Sequence, residues 1–205
     1  MSISRLGRPR TKAVAKSRPD GATAAYVLPP TATCPALLEK GSDRRFRILV
    51  NDLFTIASRM ELVRAHLGRR MGISGPQYSL LVAVAHLQGA RGVSVGAVAQ
   101  AMHVSSAFIA AETGKMAKLG LLLKRSNPDD RRGVLISLAP AGRRQLDRVS
   151  AEIRAINDLF FGSLDAKSFT ALCAAAQALV KGSAKAMHYL NTVEHESLLA
   201  LKAAE

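Results

Sequence analysis

A short charged hairpin in an otherwise helical chain is the feature that most constrains the fold. Residues 127–142, NPDDRRGVLISLAPAG, carry a proline, two carboxylates and two arginines before an alternating apolar run. Strict alternation is typical of a half-buried strand, and residues 121–125 form a second β-like run. The sequence therefore predicts strands at 121–125 and 134–138, joined by the seven residues 127–133.

Helical periodicity surrounds this hairpin, and capping residues mark where the helices start and stop. Ser94 and Ser105 can each cap a short helix, Gly120 suits a left-handed stop, and Pro140 suits a first turn. The first helix is apolar on two sides, which predicts burial from two directions. The predicted helices are at about 43–70, 74–86, 95–102, 105–118, 140–161 and 165–200.

The charge balance points to a polyanionic partner. The 205 residues hold 29 Lys and Arg against 15 Asp and Glu, a net charge of +14 that is concentrated in residues 1–20 and 91–148. Such an excess suits nucleic acid or an anionic membrane. No apolar run approaches the roughly 20 residues that span a bilayer, and no signal peptide is evident, so we expect a cytoplasmic protein.

The order of elements narrows the partner to DNA. Two short helices joined by a tight turn and followed by a charged hairpin have the order of a winged helix-turn-helix, in which the second helix enters the major groove. Arg131 and Arg132 in the wing could then contact DNA, with Asp129 and Asp130 orienting their guanidinium groups. The alternative is a solvated turn whose charges compensate each other.

The same residues carry a family resemblance. Residues 93–142 resemble the DNA-binding core of the MarR family of bacterial transcriptional regulators, and the similarity extends without gaps over 74–148. That family has a recognition helix ending in Leu-x-x-x-Gly-Leu, a wing reading Asp-Pro-x-Asp-x-Arg, and a following Leu-Thr-x-x-Gly. The corresponding residues here are Met116, Gly120, Leu121, Asn127, Pro128, Asp130, Arg132, Leu138 and Gly142.

The resemblance implies a domain organisation and a partner set. It implies a homodimer in which the first helix (43–73) and the C-terminal helices (140–205) pack against their symmetry mates, while the winged helix-turn-helix (74–139) binds a palindromic operator in double-stranded DNA. Residues 1–42 are expected to be a basic, disordered tail. Many members of the family release DNA on binding a small aromatic acid or an acyl thioester, which implies a small-molecule effector.

Departures from the family pattern concern the DNA contacts. Ala139 stands where the family usually has Thr, and Glu112 replaces a usually apolar residue. The recognition helix contains no Arg, so we expect close groove contact through methyl groups and hydroxyls together with DNA shape. The predicted DNA-binding residues are Ser105, Ser106, Ala107, Ala110, Ala111, Lys115, Lys118, Lys124, Arg125, Asp130, Arg131 and Arg132.

A second basic motif lies in the tail. The sequence RLGRPR at residues 5–10 resembles the Gly-Arg-Pro core of AT-hooks, in which an extended arm lies in a narrow minor groove. Arg8 and Arg10 would supply its DNA contacts. The alternative is a basic extension that adds only non-specific affinity.

An effector pocket is expected where the first, second and fifth helices meet. Arg59 or Arg64 could pair with a carboxylate there, although an Arg or His on such a helix is often a surface charge or an interface hydrogen bond. The predicted lining residues are Asn51, Phe54, Arg59, Met60, Arg64, His66 and Tyr78.

Other chemistries find little support in the residues. Cys34 and Cys173 are too few for a disulfide framework, and Cys34 lacks a cationic neighbour that would make it a redox sensor. The five histidines form no His-x-x-x-His pair, and no nucleophile elbow, phosphate loop or nucleotide fingerprint occurs, so we expect no metal, cofactor or enzymatic activity.

The fold class predicted is therefore mainly α with a small β-hairpin, a winged helix-turn-helix flanked by dimerisation helices. The function predicted is a sequence-specific transcriptional regulator, a dimeric repressor released from its operator by a small ligand. The alternative is an architectural DNA-binding protein that has weak sequence preference and no ligand switch.

Overall fold

The structure is a computed structural model that describes residues 26–128 and 130–202, with side chains at all of these positions except 131, 132 and 195–202. The chain divides into two compact units, Met1–Leu53 and Phe54–Glu205, and the division falls inside the first helix. The elements in chain order are α1 (Arg44–Arg70), α2 (Gly75–Leu87), β1 (Val93–Ser94), α3 (Val95–Met102), α4 (Ser106–Lys118), β2 (Leu122–Asn127), β3 (Asp130–Leu138), α5 (Pro140–Phe161) and α6 (Ala166–Lys202).

In the first unit, Asp43 anchors the segment that precedes α1. Its buried carboxylate accepts hydrogen bonds from the Thr31 amide at 2.6 Å and the Thr31 hydroxyl at 2.8 Å, and it pairs with Arg47. The hydrogen bonds from Thr31, followed by the attraction of Arg47, lower the pKa of Asp43. The expectation of a tail without structure is wrong for residues 26–42, which also contain a short 3-10 turn, Pro35–Leu37. Residues 1–25 lie outside the described ranges.

The second unit contains a small antiparallel sheet rather than a lone hairpin. Its strand order is β1–β3–β2, and β1 pairs Val93 with Ile136. Strand β1 was not predicted, because two residues are too few to show a period. The predicted strands also end too far from the tip, since β2 and β3 continue pairing across a register shift between Ser126 and Asn127. Pairing therefore extends to Asn127 and Asp130, and the connection is shorter than the predicted 127–133.

One apolar core joins the second unit's helices to this sheet. Each element contributes at its predicted period, so that every helix from α2 to α5 has a face in the core. The fully buried or nearly fully buried side chains are Leu80, Leu81 and Val84 of α2, Val98 of α3, Ile109 and Met116 of α4, Leu122 of β2, Ile136 of β3 and Val149 of α5.

The expected burial of α1 from two directions is wrong for the single chain. In the first unit Ile48 and Leu49 of α1 are exposed, and in the second unit Phe54 and Leu62 are about 70% exposed. Within the second unit, α1 is buried only near its C-terminal end, at Leu67 and Gly68. Residues 166–194 of α6 are likewise all exposed, so both helices present apolar side chains that the chain itself does not cover.

Candidate nucleic-acid interface

The turn between α3 and α4 is defined by local hydrogen bonds. Helix α3 ends with His103 in the left-handed region at φ 54°, and the Val104 amide donates to the Ala99 carbonyl at 3.1 Å. Ser105 then begins α4, because its hydroxyl accepts the Phe108 amide at 3.2 Å. These bonds form the tight turn of a helix-turn-helix, with Ser105 as the predicted cap.

The outer face of α4 consists of small side chains. Ile109, Thr113 and Met116 face the core, and the buried Thr113 hydroxyl donates back to the Ile109 carbonyl at 2.7 Å. The helix residues in the predicted DNA-binding set are all exposed on the other side of the helix, whereas Gly114, also expected to face outward, is half-buried: the exposed ones are Ser106, Ala107, Ala110, Ala111, Lys115 and Lys118. A duplex could therefore approach this face closely, since few long side chains stand in the way.

The structure supplies an account of Glu112, which sequence reasoning lacked. One carboxylate oxygen accepts the Gln77 side-chain amide at 2.9 Å, and the other lies 2.6 Å from the Lys115 ammonium. The hydrogen bonds from Lys115 and Gln77 lower the pKa of Glu112. Lys115, predicted as a phosphate contact, is thus paired with a carboxylate of its own helix.

The end of α4 positions the wing. Gly120 is left-handed at φ 71°, its amide donates to Ala117, and the Leu121 amide donates to the Met116 carbonyl at 3.0 Å. Gly142 lies against the same connection, and a Cβ there would overlap the Leu121 carbonyl oxygen. This close approach explains why a glycine stands at the position that the family pattern marks.

At the base of the wing, Gln88 holds β3 in place. Its side-chain oxygen accepts the Leu138 amide at 2.8 Å, which ties the end of α2 to the last residue of the strand. This role of Gln88 was not predicted, because Gln88 and Leu138 are far apart along the chain and Gln88 belongs to no motif. Ala139 caps α5 without a side-chain bond, with Pro140 in the first turn, as the departure from the family pattern predicted.

The predicted wing residues lie on β2 and β3. Lys124 and Arg125 are exposed on β2, and the Asp130 carboxylate is exposed beside Gly133, where an added Cβ would lie 3.0 Å from Asp130 Oδ2. Arg131 and Arg132 lie in β3 rather than in a loop, and their side chains are not described. The predicted orienting role of Asp129, and the tail contacts of Arg8 and Arg10, fall outside the described residues.

A cavity of about 240 Å³ lies where α1, α2 and α5 meet. Three of the predicted ligand residues line it, namely Met60, Arg64 and Tyr78, whereas Asn51, Phe54, Arg59 and His66 do not. The fifth helix was predicted to be one wall of the pocket, but none of its lining residues was predicted. That wall is formed by Ile153, Ile156, Asn157, Phe160 and Phe161.

Arg64 is the charged group of this cavity. Its Nη1 donates to the Ser79 hydroxyl at 3.3 Å, its Nη2 pairs with Glu61, and its buried Nε has no hydrogen-bond partner among the described residues. Tyr78 stands beside it, and burial raises the pKa of the phenol. A second cavity of about 400 Å³ shares Arg64, Tyr78 and Val82 and reaches towards His86 and Ala101.

His66 has a different environment. Its Nε2 lies 2.6 Å from Glu152 Oε1 on α5, and the other Glu152 oxygen accepts Arg70 Nε at 3.2 Å. The hydrogen bond from His66, followed by that from Arg70, lowers the pKa of Glu152. His66 therefore joins α1 to α5 as an interface hydrogen bond, the alternative that the sequence analysis had kept open.

The described residues show no metal site and no membrane-spanning helix. Within residues 26–128 and 130–202, no group of three or more His, Cys, Asp or Glu side chains could hold a metal ion. In the same part of the chain, no helix is both long enough and apolar enough to cross a membrane. Cys34 and Cys173 are exposed free thiols.

Comparison with known proteins was made by family model, by curated sequence and by solved structure. The model of the MarR family matches residues 65–133. A search of curated proteins returns no significant match.

Solved structures share the fold at low sequence identity. The transcriptional regulator SlyA is 13% identical, with a TM-score of 0.58 over 69% of this chain and 98% of that one. AbsC, a MarR family regulator from Streptomyces coelicolor, is 17% identical, with a TM-score of 0.58 over 66% and 91% of the two chains. MepR of S. aureus, solved as a DNA complex, is 14% identical, with a TM-score of 0.55 over 64% and 96%.

These findings agree with the order of elements and with the geometry of α3, α4 and the wing. MarR family members are DNA-binding transcriptional regulators and not enzymes. The family-model match falls on α2, α3, α4 and most of the wing, where the structure forms the helix-turn-helix. Residues 65–133 therefore match the model of the MarR family, and the described structure shares the winged helix-turn-helix fold of solved regulators of that family.

Proposed function

We propose that this protein is a transcriptional regulator of the MarR family and a homodimeric repressor. In this proposal α4 lies in the major groove of a palindromic operator. The protein leaves the DNA when a small aromatic acid binds between α1, α2 and α5. The observation that carries the DNA-binding part is the exposed, small-residue face of α4 beside a cationic wing. In this proposal residues 74–139 bind DNA, and residues 43–73 and 140–205 form the dimer.

The face of α4 favours a particular kind of recognition. Ala107, Ala110 and Ala111 offer methyl groups to thymine methyls, and Ser105 and Ser106 offer short hydrogen-bonding groups. Lys118, Lys124 and Arg125 are exposed cations placed to meet phosphates on either side. Sequence preference would then depend on methyl contacts and on groove shape, with Arg131 and Arg132 inserted in the minor groove.

A bulky substitution on α4 tests the close approach. Ala111→Arg should abolish binding to a duplex selected from a random pool by the native protein, or change its preferred sequence, because the longer side chain cannot fit where a methyl group did. Ala36→Arg, which changes an exposed alanine outside the proposed DNA-binding and dimer regions, is the matched control. Unchanged affinity and preference for Ala111→Arg would contradict the placement of α4.

The homodimer proposal is supported by the apolar side chains that the chain leaves uncovered. Leu179, Met187, Tyr189 and Leu190 of α6 are all about half exposed or more, and α1 shows the same pattern. Contiguous exposed apolar surface of this kind marks an interaction site. Sedimentation equilibrium at micromolar concentration should give twice the 21.8 kDa chain mass.

The cavity around Arg64 supports the ligand part of the proposal. Its walls are mainly apolar, and a carboxylate could satisfy the buried Arg64 Nε that lacks a partner among the described residues. A volume of about 240 Å³ suits one aromatic ring with its acid group, since a cavity of about 150 Å³ holds benzene. An acyl thioester would have to extend beyond these walls.

Ligand binding can be tested by thermal stability. Single-ring aromatic carboxylates should raise the melting temperature of the native protein, since a ligand that binds only the folded state stabilises it. Arg64→Gln should lose this response, and Arg59→Gln, which changes an exposed arginine outside the cavity, should keep it. An equal response in both variants would remove Arg64 from the site.

An architectural DNA-binding protein is the second candidate function. The observation that favours it is the Arg-free recognition helix, in which Lys115 is already paired with Glu112. A specific-to-non-specific affinity ratio below about 10³ would support this candidate over the repressor. Deleting residues 1–20 tests the tail: a lower salt slope would indicate that Arg8, Arg10 and their neighbours contact DNA.

A further inference from the structure

The carboxylate of Glu112 is an unexpected group on a helix that faces DNA. Its side chain is 13% exposed, while its partner Lys115 is 63% exposed. A negative charge near phosphates opposes binding, and burial without partners would be costly. Its presence therefore calls for a role other than contact with DNA.

Both oxygens of Glu112 have hydrogen-bond partners, and the partner of Oε2 is itself held in place. The Gln77 amide that donates to Oε2 belongs to a side chain whose own oxygen accepts the Ser74 amide at 3.1 Å, in the capping box of α2. This reciprocal bond fixes the Gln77 side chain and thereby the carboxylate. Oε1 is then directed at the ammonium of Lys115, one turn further along α4.

The arrangement controls the charge that α4 presents. The basic residues of α4 are Lys115 and Lys118, and a paired Lys115 adds little net charge to the helix surface. Glu112 is ionised at neutral pH even at the ordinary pKa of 4.5, and the hydrogen bonds from Lys115 and Gln77 lower that pKa further, so the pairing persists there. A free Lys115, by contrast, would attract phosphates of any sequence.

We propose that Glu112 is a specificity-determining residue that acts through Lys115: held by Gln77, it keeps the Lys115 ammonium from phosphates and so weakens binding to non-specific DNA. Gln77 acts as the positioning residue for Glu112. This inference rests on the proposed placement of α4 against the duplex.

The test uses Glu112→Gln, which retains an oxygen for Gln77 and removes the charge that holds Lys115. Binding to a short random-sequence duplex should strengthen by about eightfold at about 0.1 M salt, and the slope of log affinity against log salt should steepen by about 0.9, the contribution of one phosphate. Binding to a duplex selected by the native protein should strengthen less, so the specificity ratio falls.

A double-mutant cycle separates restraint of Lys115 from simple repulsion of phosphate. In a Lys115→Gln background, Glu112→Gln should leave the salt slope unchanged. If the substitution strengthens binding equally in both backgrounds, or in neither, the inference is overturned. Gln77→Ala should steepen the salt slope, as Glu112→Gln does. Unchanged binding would show that Gln77 does not position Glu112. Thermal melts of each variant confirm that folding is intact.

Lys118→Gln distinguishes failure of this inference from failure of the proposed function. Lys118 is exposed on the last turn of α4, and its removal should lower the salt slope by about 0.9 if α4 meets phosphates. If Lys118→Gln lowers the slope but Glu112→Gln does not raise it, only the role of Glu112 is wrong. If neither variant changes the slope, the placement of α4 is wrong.

Discussion

The helix-turn-helix with its wing buries many of its apolar side chains, whereas the C-terminal helix α6 leaves its own exposed. Leu81 and Ile109 are fully buried by the chain itself, whereas Tyr189 of α6 is 67% exposed and every residue from 166 to 194 is exposed. The first region contains its own core and the second does not. The difference indicates that one chain is enough to bury the core of the winged region, while the apolar side chains of α6 are left for the partner chain of the proposed dimer.

The largest expected effect comes from removing a side chain of the winged core. Leu81→Ala should lower the free energy of unfolding by about 2–5 kcal/mol, because it loses buried apolar area and leaves a cavity. Leu159→Ala is the matched control: Leu159 is 88% exposed, and its loss should cost less than about 0.5 kcal/mol. Equal losses in urea unfolding would contradict the comparison.

A substitution in α6 sharpens the other half of the comparison. Leu190→Ser should weaken self-association by about 1.5–3 kcal/mol for each side chain that a dimer buries fully, while a monomeric winged region keeps its fold. Sedimentation at several concentrations measures the change. A variant with unchanged association would place the dimer surface elsewhere.

A glycine pair tests how tightly the wing packs. Gly142→Ala should destabilise by about 1–3 kcal/mol, since the new Cβ overlaps the Leu121 carbonyl. Gly114→Ala, in a helix with open space around it, should instead stabilise by about 0.5–1 kcal/mol. Both are read from thermal melts, and a neutral Gly142→Ala would mean that the wing moves aside easily.

The smallest expected effect is a pH dependence at the junction of α1 and α5. Because His66 and Arg70 lower the folded-state pKa of Glu152 below its ordinary 4.5, the unfolded chain binds the proton more readily. The stabilisation is therefore present above about pH 4.5 and lost as the pH falls through the folded pKa. Between about pH 6 and about pH 3, the native protein should lose more stability than Glu152→Gln. Parallel losses would show that the contact contributes nothing.

Local signals in the sequence predicted most of the fold. Ser94 and Ser105 begin α3 and α4, Gly120 ends α4, and Pro140 begins α5, each by interactions within a few residues. The wing was located correctly, but its strands were drawn too short. Whether a polar residue near a hairpin tip pairs depends on the register of the two strands, which shifts between Ser126 and Asn127 and which apolar alternation does not reveal there.

The candidate site was predicted less evenly. The exposed face of α4 followed from helical period, because that period decides which residues lie opposite the buried Ile109 and Met116. The lining of the cavity was predicted only in part, since Met60, Arg64 and Tyr78 line it, whereas His66 is hydrogen-bonded to Glu152 instead. An amphipathic helix reveals that a residue faces a neighbour, but not which side chain that neighbour brings.

The amino-acid sequence alone determined the helices, their caps, the charged wing and the absence of Arg from α4. Each of these depends on residues within one or two turns of chain. Three things depended on the packed molecule: the bond from Gln88 to the wing, the restraint of Glu112 by Gln77, and the exposure of α1 and α6. Each of the three depends on whether residues that are distant along the chain meet. Only the three-dimensional arrangement of the elements decides that.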